Sequence, residues 1–275
     1  MSRALRVLYP GAVYHVTARG NERRSIFADA EDYRAFLGQL ALAVERYGWI
    51  CHGYCLMGNH YHLLVETPRA NLPIGMRHLN GCYSRAFNRR WSRVGHVFQG
   101  RYSAELVEKQ AYLLELIRYI ALNPVRTEPP LCASPEAYLW SSYAAFLGLA
   151  PRPVWLTVEW VLKQFGDEFG TARARLRSYV DWGLETPPPS AVAGAYFATE
   201  DFIRAATAGL DPIPEIPRAH WQPLRPALDE VFSSAEDPIV TAYRTFGYTL
   251  REIAEHLGCH YATVSRRLRR SEQAV

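Results

Sequence analysis

Along the first 130 residues the apolar positions switch between a period of two and a period near 3.6, which predicts strands and helices in succession. Residues 11–18 read as a strand, 30–47 as a helix with Phe36, Leu40 and Val44 at helical spacing, and 49–57 as a second strand. Gly58 and Asn59 signal a tight turn into a third strand at 60–66, so strands two and three are expected to be antiparallel neighbours. Residues 73–91 are helical with Pro73 in the tolerated first turn, 97–107 are strand-like, and 109–122 form a helix that Pro124 ends. The order β-α-β-β-α-β plus a helix predicts an α+β fold of ferredoxin-like plan over residues 1–129, an antiparallel sheet with packed helices.

Residues 130–186 continue as a helical extension, clearest at 135–148 and 171–182. Pro187, Pro188 and Pro189 break the chain, and the prolines from Pro212 to Pro226 carry no usable periodicity, so 187–235 reads as a proline-rich linker region before a third unit at 236–275. With 49% hydrophobic residues among 275, the chain can build a real core. The net charge of +4 is a mild bias toward polyanions. Cys51, Cys55, Cys82, Cys132 and Cys259 lack the paired spacing of a zinc knuckle and read as reduced thiols. No apolar run reaches the roughly 20 residues of a membrane helix, and residues 1–11 lack the core of a signal peptide. The expectation is a cytoplasmic protein with no membrane partner.

In Asn59-His60-Tyr61-His62-Leu63-Leu64-Val65 two histidines stand two apart on a strand, so both imidazoles project from one face while Tyr61, Leu63 and Val65 take the other. That geometry can chelate a metal ion, and it equally suits two hydrogen-bonded structural histidines. On the helix from Lys109, the stripe Leu113, Leu116, Ile117 and Ile120 faces inward and Tyr112, Glu115, Tyr119 and Asn123 run down the flank. Tyr119 and Asn123 are one turn apart, where a phenol and an amide can face one site; the alternative is a half-buried core tyrosine and a helix C-cap. Glu66 shares parity with the histidines, but at roughly 3.3 Å per residue it lies about 13 Å beyond His62, too far for one ion. Glu115 reads as a solvated charge, with orientation of the phenol as its functional alternative.

Taken together, Asn59-His60-Tyr61-His62 and Arg118-Tyr119-Ile120-Ala121-Leu122-Asn123-Pro124-Val125-Arg126 resemble the HUH single-tyrosine transposases, and among them the REP-associated tyrosine transposases. The resemblance covers about residues 11–148 and, more weakly, extends to 183. It implies an HUH domain in which His60 and His62 bind a metal, Asn123 stands where better-known relatives carry Gln as the third ligand, and Tyr119 is the nucleophile. The implied reaction is cleavage and rejoining of single-stranded DNA through a 5′-phosphotyrosine, on hairpin-forming repeats. A phenol of pKa near 10 needs a cation at the phosphodiester. Two imidazoles and an amide suit Mg²⁺ or Mn²⁺ better than a closed zinc site, and no nucleotide cofactor is signalled.

Arg77, Arg85 and Arg89 lie near one face of the second helix, with Arg90 and Arg93 following and Trp91 interleaved. With Arg19, Arg23, Arg24, Arg101 and Arg126 they predict a DNA groove, with Tyr83 or Trp91 as stacking platforms; an ordinary solvated face is the alternative. Thr249 to Glu252 is a capping box, and Leu250, Ile253, Ala254 and Leu257 make a short amphipathic helix ending at Gly258. A second helix follows from 260 to 270, with Val264 and Leu268 inward and Tyr261, Thr263, Ser265, Arg266 and Arg267 outward. This is a helix-turn-helix pattern that resembles the C-terminal one of the replication initiator DnaA, and it predicts duplex DNA as a further partner through Arg266 and Arg267; a small oligomerisation bundle is the rival. Three readings emerge: a metal-dependent strand transferase working as a monomer, a non-catalytic DNA-binding regulator built on a transposase domain, and an RNA-directed binder or nuclease.

Overall fold

The computed structural model describes residues 7–192, 195–208 and 224–273. It forms two units, Leu8–Ala191 and, in the main, Val192–Val275. In the first, β1 (Ala12–Arg19), α1 (Ala30–Tyr47), β2 (Ile50–Met57), β3 (His60–Thr67), α2 (Leu72–Arg90), β4 (Ser103–Val107) and α3 (Lys109–Leu122) follow in order. The strands of this unit lie in the order β2-β3-β1-β4 with every neighbour antiparallel. The ferredoxin-like plan is therefore present, including the tight connection in which Met57 pairs with His60.

Local chemistry explains the element ends. The Asp29 side chain accepts from the backbone N–H groups of Glu31 and Asp32 to cap α1, and Gly48 closes it in the left-handed region at φ 66°. Phe36, Leu40, Ala43 and Val44 are the buried stripe between them. On the sheet, Tyr61 faces α1 and α2: its ring lies 4.7 Å from that of Phe36 and its hydroxyl donates to Asn80 Oδ1 at 2.7 Å. The opposite face carries α3. There Gly53 lets Ile117 approach closely, since a Cβ at that position would stand 2.9 Å from Ile117 Cδ1.

Paired charge holds α3 at both ends. At its start Lys109 Nζ lies 2.7 Å from Glu66 Oε2, which also takes a 2.8 Å bond from His52 Nε2. Toward its end Arg118 pairs with Glu115, and its guanidinium sits 4.6 Å from the Tyr179 ring and 5.0 Å from the Trp182 ring on α6 (Phe169–Trp182). Tyr179 donates its hydroxyl proton to Glu115 Oε1 at 2.8 Å. Arg126 donates to the carbonyls of Gly183 and Thr186. Glu115, partly exposed, is thus engaged by Arg118 and Tyr179.

Several expectations are corrected. The strand foreseen at 97–107 begins only at Ser103: Gly95 and Gly100 adopt φ of 90° and 82°, which breaks the extended backbone before it. The helix foreseen at 135–148 is a 3-10 turn, Pro135–Ala137, and a single turn, α4 (Tyr143–Phe146). Between them Trp140 and Ser142 bond to the backbone of β2 through Leu56 and Tyr54, which covers that exposed sheet edge. Tyr83 is 1% exposed and donates to the Ile26 carbonyl, so it cannot stack on a base. A short helix α5 (Glu159–Lys163) precedes α6.

The second unit holds β5 (Tyr196–Phe197), α7 (Glu200–Thr207), α8 (Leu228–Ser234), α9 (Leu250–His256) and α10 (Tyr261–Gln273). Residues 200–207 and 228–234, read as linker, are therefore helical, while most of the stretch from Pro212 to Pro226 lies outside the described residues. Val231, Ala242, Tyr248, Ile253, Ala254 and Val264 form its core. The capping box joins Thr249 and Glu252 in both directions, and Val264 and Leu268 point inward as the pattern requires.

One glycine tests the packing of α2. A Cβ on Gly75 would meet Trp49 Cζ2 at 2.1 Å, and Trp49 is buried with its Nε1 donating to Asn71 Oδ1. Alanine adds about 1 kcal/mol of helix propensity, but overpacking a core costs typically 1–3 kcal/mol or more. Gly75→Ala is therefore expected to be net destabilising, whereas Gly81→Ala, whose nearest neighbour is the flexible Arg85 tip at 3.5 Å, should be neutral or stabilising in urea denaturation.

Candidate active site

Antiparallel register gathers the polar side chains on the face that carries α3. Arg19 pairs with His60 and Thr17 with His62 between β1 and β3. The rings of His60 and His62 lie 5.1 Å apart. Tyr119 stands edge-on to His62, with ring centroids at 5.6 Å and planes at 87°. Asn123, one turn later, donates its amide N–H to the Tyr119 carbonyl at 2.9 Å. His60, His62, Tyr119 and Asn123 thus come together.

Burial shapes their protonation. It lowers His60 to about 4, with the Arg19 charge adding to it, and it holds His62 well below the ordinary imidazole value, helped by His15, His60 and Arg19. Both rings are neutral at pH 7, the form a metal requires. Burial also raises the Tyr119 phenol, opposed first by the hydrogen bond with Asn123, while Glu105 raises it further and Arg126 and Arg19 lower it. His62 Nε2 is buried with no hydrogen-bond partner. An orphaned imidazole nitrogen beside a second neutral imidazole fits a divalent cation. Among the described residues no group of three or more His, Cys, Asp or Glu is clustered for a metal, so the imidazoles need an amide to complete a ligand set.

Sequence reasoning missed His15 and Glu105. His15 is 4% exposed, stacks on His62 at 5.2 Å and meets Tyr119 edge-on at 6.0 Å; Glu105 is its register partner on β4. The available signal was parity: His15 lies two and four residues before Thr17 and Arg19 on the same strand face.

The arginines divide. Arg19 is exposed beside His60, and the segment carrying Arg101 joins the same strand end through the Gln99 N–H bond to the Arg19 carbonyl. Arg23 and Arg24 follow β1, where Arg24 pairs with Glu22 at 2.6 Å. Arg77, Arg85 and Arg89 are exposed on α2. Arg90 instead pairs with Asp29, Glu31 and Asp32, and Trp91 donates to Asp32 beneath it, so both serve the junction of α1 and α2. Arg126 is engaged with backbone carbonyls. Arg266 and Arg267 are exposed on α10.

Residues 9–123 match the family model described as transposase, IS200 like. Over this segment the chain is similar to the IS200-like transposases. Residues 239–275 match the model described as sigma-70, region 4, a different helix-turn-helix family from the DnaA type suggested by the motif. Among solved structures, that of a REP-associated tyrosine transposase bound to a REP hairpin is similar at 15% identity and a TM-score of 0.47, covering 55% of this chain and 89% of that one. No curated protein gives a match. No helix among the described residues is long and apolar enough to cross a membrane.

The anchor of α3 carries a pH signature. Glu66 is held at about 2, first by its hydrogen bond with His52 and then by Lys109, against an ordinary value of 4.5. A depressed carboxylate contributes stability that is present above the unfolded value and lost as pH falls through the folded one. Unfolding midpoints should therefore drop more between pH 5 and pH 2 in the native chain than in Glu66→Gln, and equal slopes would show that the contact contributes nothing.

Proposed function

We propose that this chain is a metal-dependent DNA strand transferase, with Tyr119 as nucleophile and His60, His62 and Asn123 as metal ligands. The observation that carries the reading is the contact of the Tyr119 ring with an imidazole whose buried Nε2 has no partner. When bound, Mg²⁺ or Mn²⁺ would neutralise the phosphodiester and orient it for attack. Arg19 adds positive charge beside His60, and Asn123, bonded to the Tyr119 carbonyl, favours ionisation of the phenol. The Tyr119 oxygen bonds to phosphorus, the phenolic proton is released, and the bond to the 3′ oxygen breaks, leaving a 5′-phosphotyrosine and a 3′-hydroxyl. The reverse reaction rejoins strands without an external energy source.

Hairpin-forming single-stranded DNA is the substrate this reading favours, and the string Tyr119-Ile120-Ala121-Leu122-Asn123-Pro124-Val125-Arg126 supports the REP-associated pattern. Arg19, Arg23, Arg24 and Arg101 cluster near the strand ends at the histidines and would contact the phosphates, with Arg77, Arg85 and Arg89 as an outward basic face. Contact of Tyr119 with His62 within one chain favours a monomer as the working form. A cytoplasmic location accords with action on DNA. The divisions at 129, 186 and 235 remain the proposed functional boundaries. The sigma-70 region 4 match supports duplex binding by the tail, and it is the observation that favours a regulator as the second reading.

Labelled hairpin oligonucleotides with Mn²⁺ decide between them. The native chain should form a covalent adduct that Tyr119→Phe abolishes while leaving binding within about threefold, since one oxygen and little area are lost. Adduct formation by Tyr119→Phe would assign the nucleophile elsewhere, and no adduct from the native chain would leave the regulator. Asn123→Ala should weaken Mn²⁺ affinity by about 10- to 100-fold, a defect that excess Mn²⁺ repairs.

The tail gives an independent expectation. If Arg266 and Arg267 neutralise phosphates, changing both to Ala should lower the salt slope of duplex binding by roughly two, and an unchanged slope would make the tail a structural bundle.

A further inference from the structure

His15 lies outside the transposase motifs, yet it is the imidazole packed directly behind a proposed ligand. Thr17 is the register partner of His62, so His15, two residues earlier, reaches His62 diagonally across the ladder. His15 Nε2 stands 3.0 Å from His62 Nδ1, and the planes of the stacked rings differ by 8°. On the other side His15 Nδ1 lies 3.1 Å from Glu105 Oε2, while Ser103 Oγ donates to Glu105 Oε1 at 2.7 Å.

Proton placement follows from the acceptor at the end of this row. The contact of His15 with Glu105 is a close approach of charge without hydrogen-bond alignment, but a carboxylate never donates, so it favours hydrogen on the His15 nitrogen that faces it, and an imidazole with its proton on Nδ1 presents a lone pair at Nε2. His62 Nδ1 must then donate to that lone pair. Its single proton is thereby placed on Nδ1, and its own lone pair falls on Nε2, the buried atom without a partner. His60 obeys the same logic through a different group. Its Nδ1 lies 2.7 Å from Asn59 Oδ1, and Asn59 is oriented by its Nδ2 bond to the Arg23 carbonyl at 3.0 Å, so the His60 lone pair also falls on Nε2.

We propose that His15, oriented by Glu105, is a positioning residue that fixes His62 as the Nδ1–H tautomer and turns its Nε2 lone pair into the site. This inference rests on the reading of His60 and His62 as metal ligands. Outer partners of this kind set ring orientation and basicity, and losing one typically costs about 10- to 100-fold in metal affinity.

Two measurements on the full chain separate this inference from that reading. In long-range proton–nitrogen spectra of the metal-free, histidine-labelled protein at pH 7.5, His62 should show one tautomer with hydrogen on Nδ1. His15→Phe keeps the stacked shape but removes the acceptor, and it should give a mixture or the Nε2–H form. By electron paramagnetic resonance of free Mn²⁺, His15→Phe should bind about 10- to 100-fold more weakly than the native chain. Should His15→Phe fail to fold, Glu105→Ala, at a partly exposed position, should shift both readouts in the same direction. If His62→Ala binds Mn²⁺ as the native chain does, the metal reading fails, and the inference falls with it. If His62→Ala loses Mn²⁺ while His15→Phe or Glu105→Ala keeps native affinity and the Nδ1–H tautomer, the role given to His15 is overturned and the metal reading stands.

Discussion

Arg118 is 6% exposed, paired with Glu115 and enclosed by the rings of Tyr179 and Trp182. Taking a guanidinium out of water costs several kcal/mol unless carboxylate and ring faces replace the lost hydration. The arrangement therefore holds only while α3 and α6 keep their mutual register. Because Arg118 immediately precedes Tyr119, fixing the rotation of α3 about its axis also fixes where the phenol points. The Lys109 contact with Glu66 does the same one helix length away, so the tyrosine is presented by a helix tied down at each end.

The sheet supplies the complementary half of the site. Its period of two places His15, Thr17 and Arg19 of β1, His60 and His62 of β3 and Glu105 of β4 on one face. Closing that face with α3 removes water from the imidazoles and the phenol alike. The same burial acts in opposite directions on pKa: it keeps His60 and His62 neutral and keeps Tyr119 protonated, with Arg19 adding to the first effect and opposing the second.

Elements whose ends are set locally were legible in the sequence. The helices at 30–47 and 109–122 coincide with α1 and α3 because Asp29 caps one and Pro124 stops the other. Strand parity paired His60 with His62 and helix spacing paired Tyr119 with Asn123, whereas the meeting of the two pairs was implied only by the family resemblance. What escaped depends on pairing between distant segments. His15 and Glu105 meet across β1 and β4, and no local pattern states that register. Arg90 follows Leu79 by eleven residues, close to three full turns, so it points toward α1 and finds three carboxylates, unlike Arg89 beside it. The apolar spacing at 135–148 was satisfied by bonding to the edge of β2 as well as by a short helix, and periodicity alone could not choose between them.

Ancestry and mechanics draw different borders around the site. The family likeness stops at residue 123, whereas the compact unit continues to Ala191. The reason is visible at Gly183, where a Cβ would collide with Arg118 at 2.5 Å and whose carbonyl receives Arg126. Cutting the chain where the likeness ends would strand a buried cation without its aromatic cover and release the rotation of the tyrosine helix. In this protein the recognisable module is shorter than the piece of matter that can hold its shape, and a graft of the site into another chain would have to carry α6 with it.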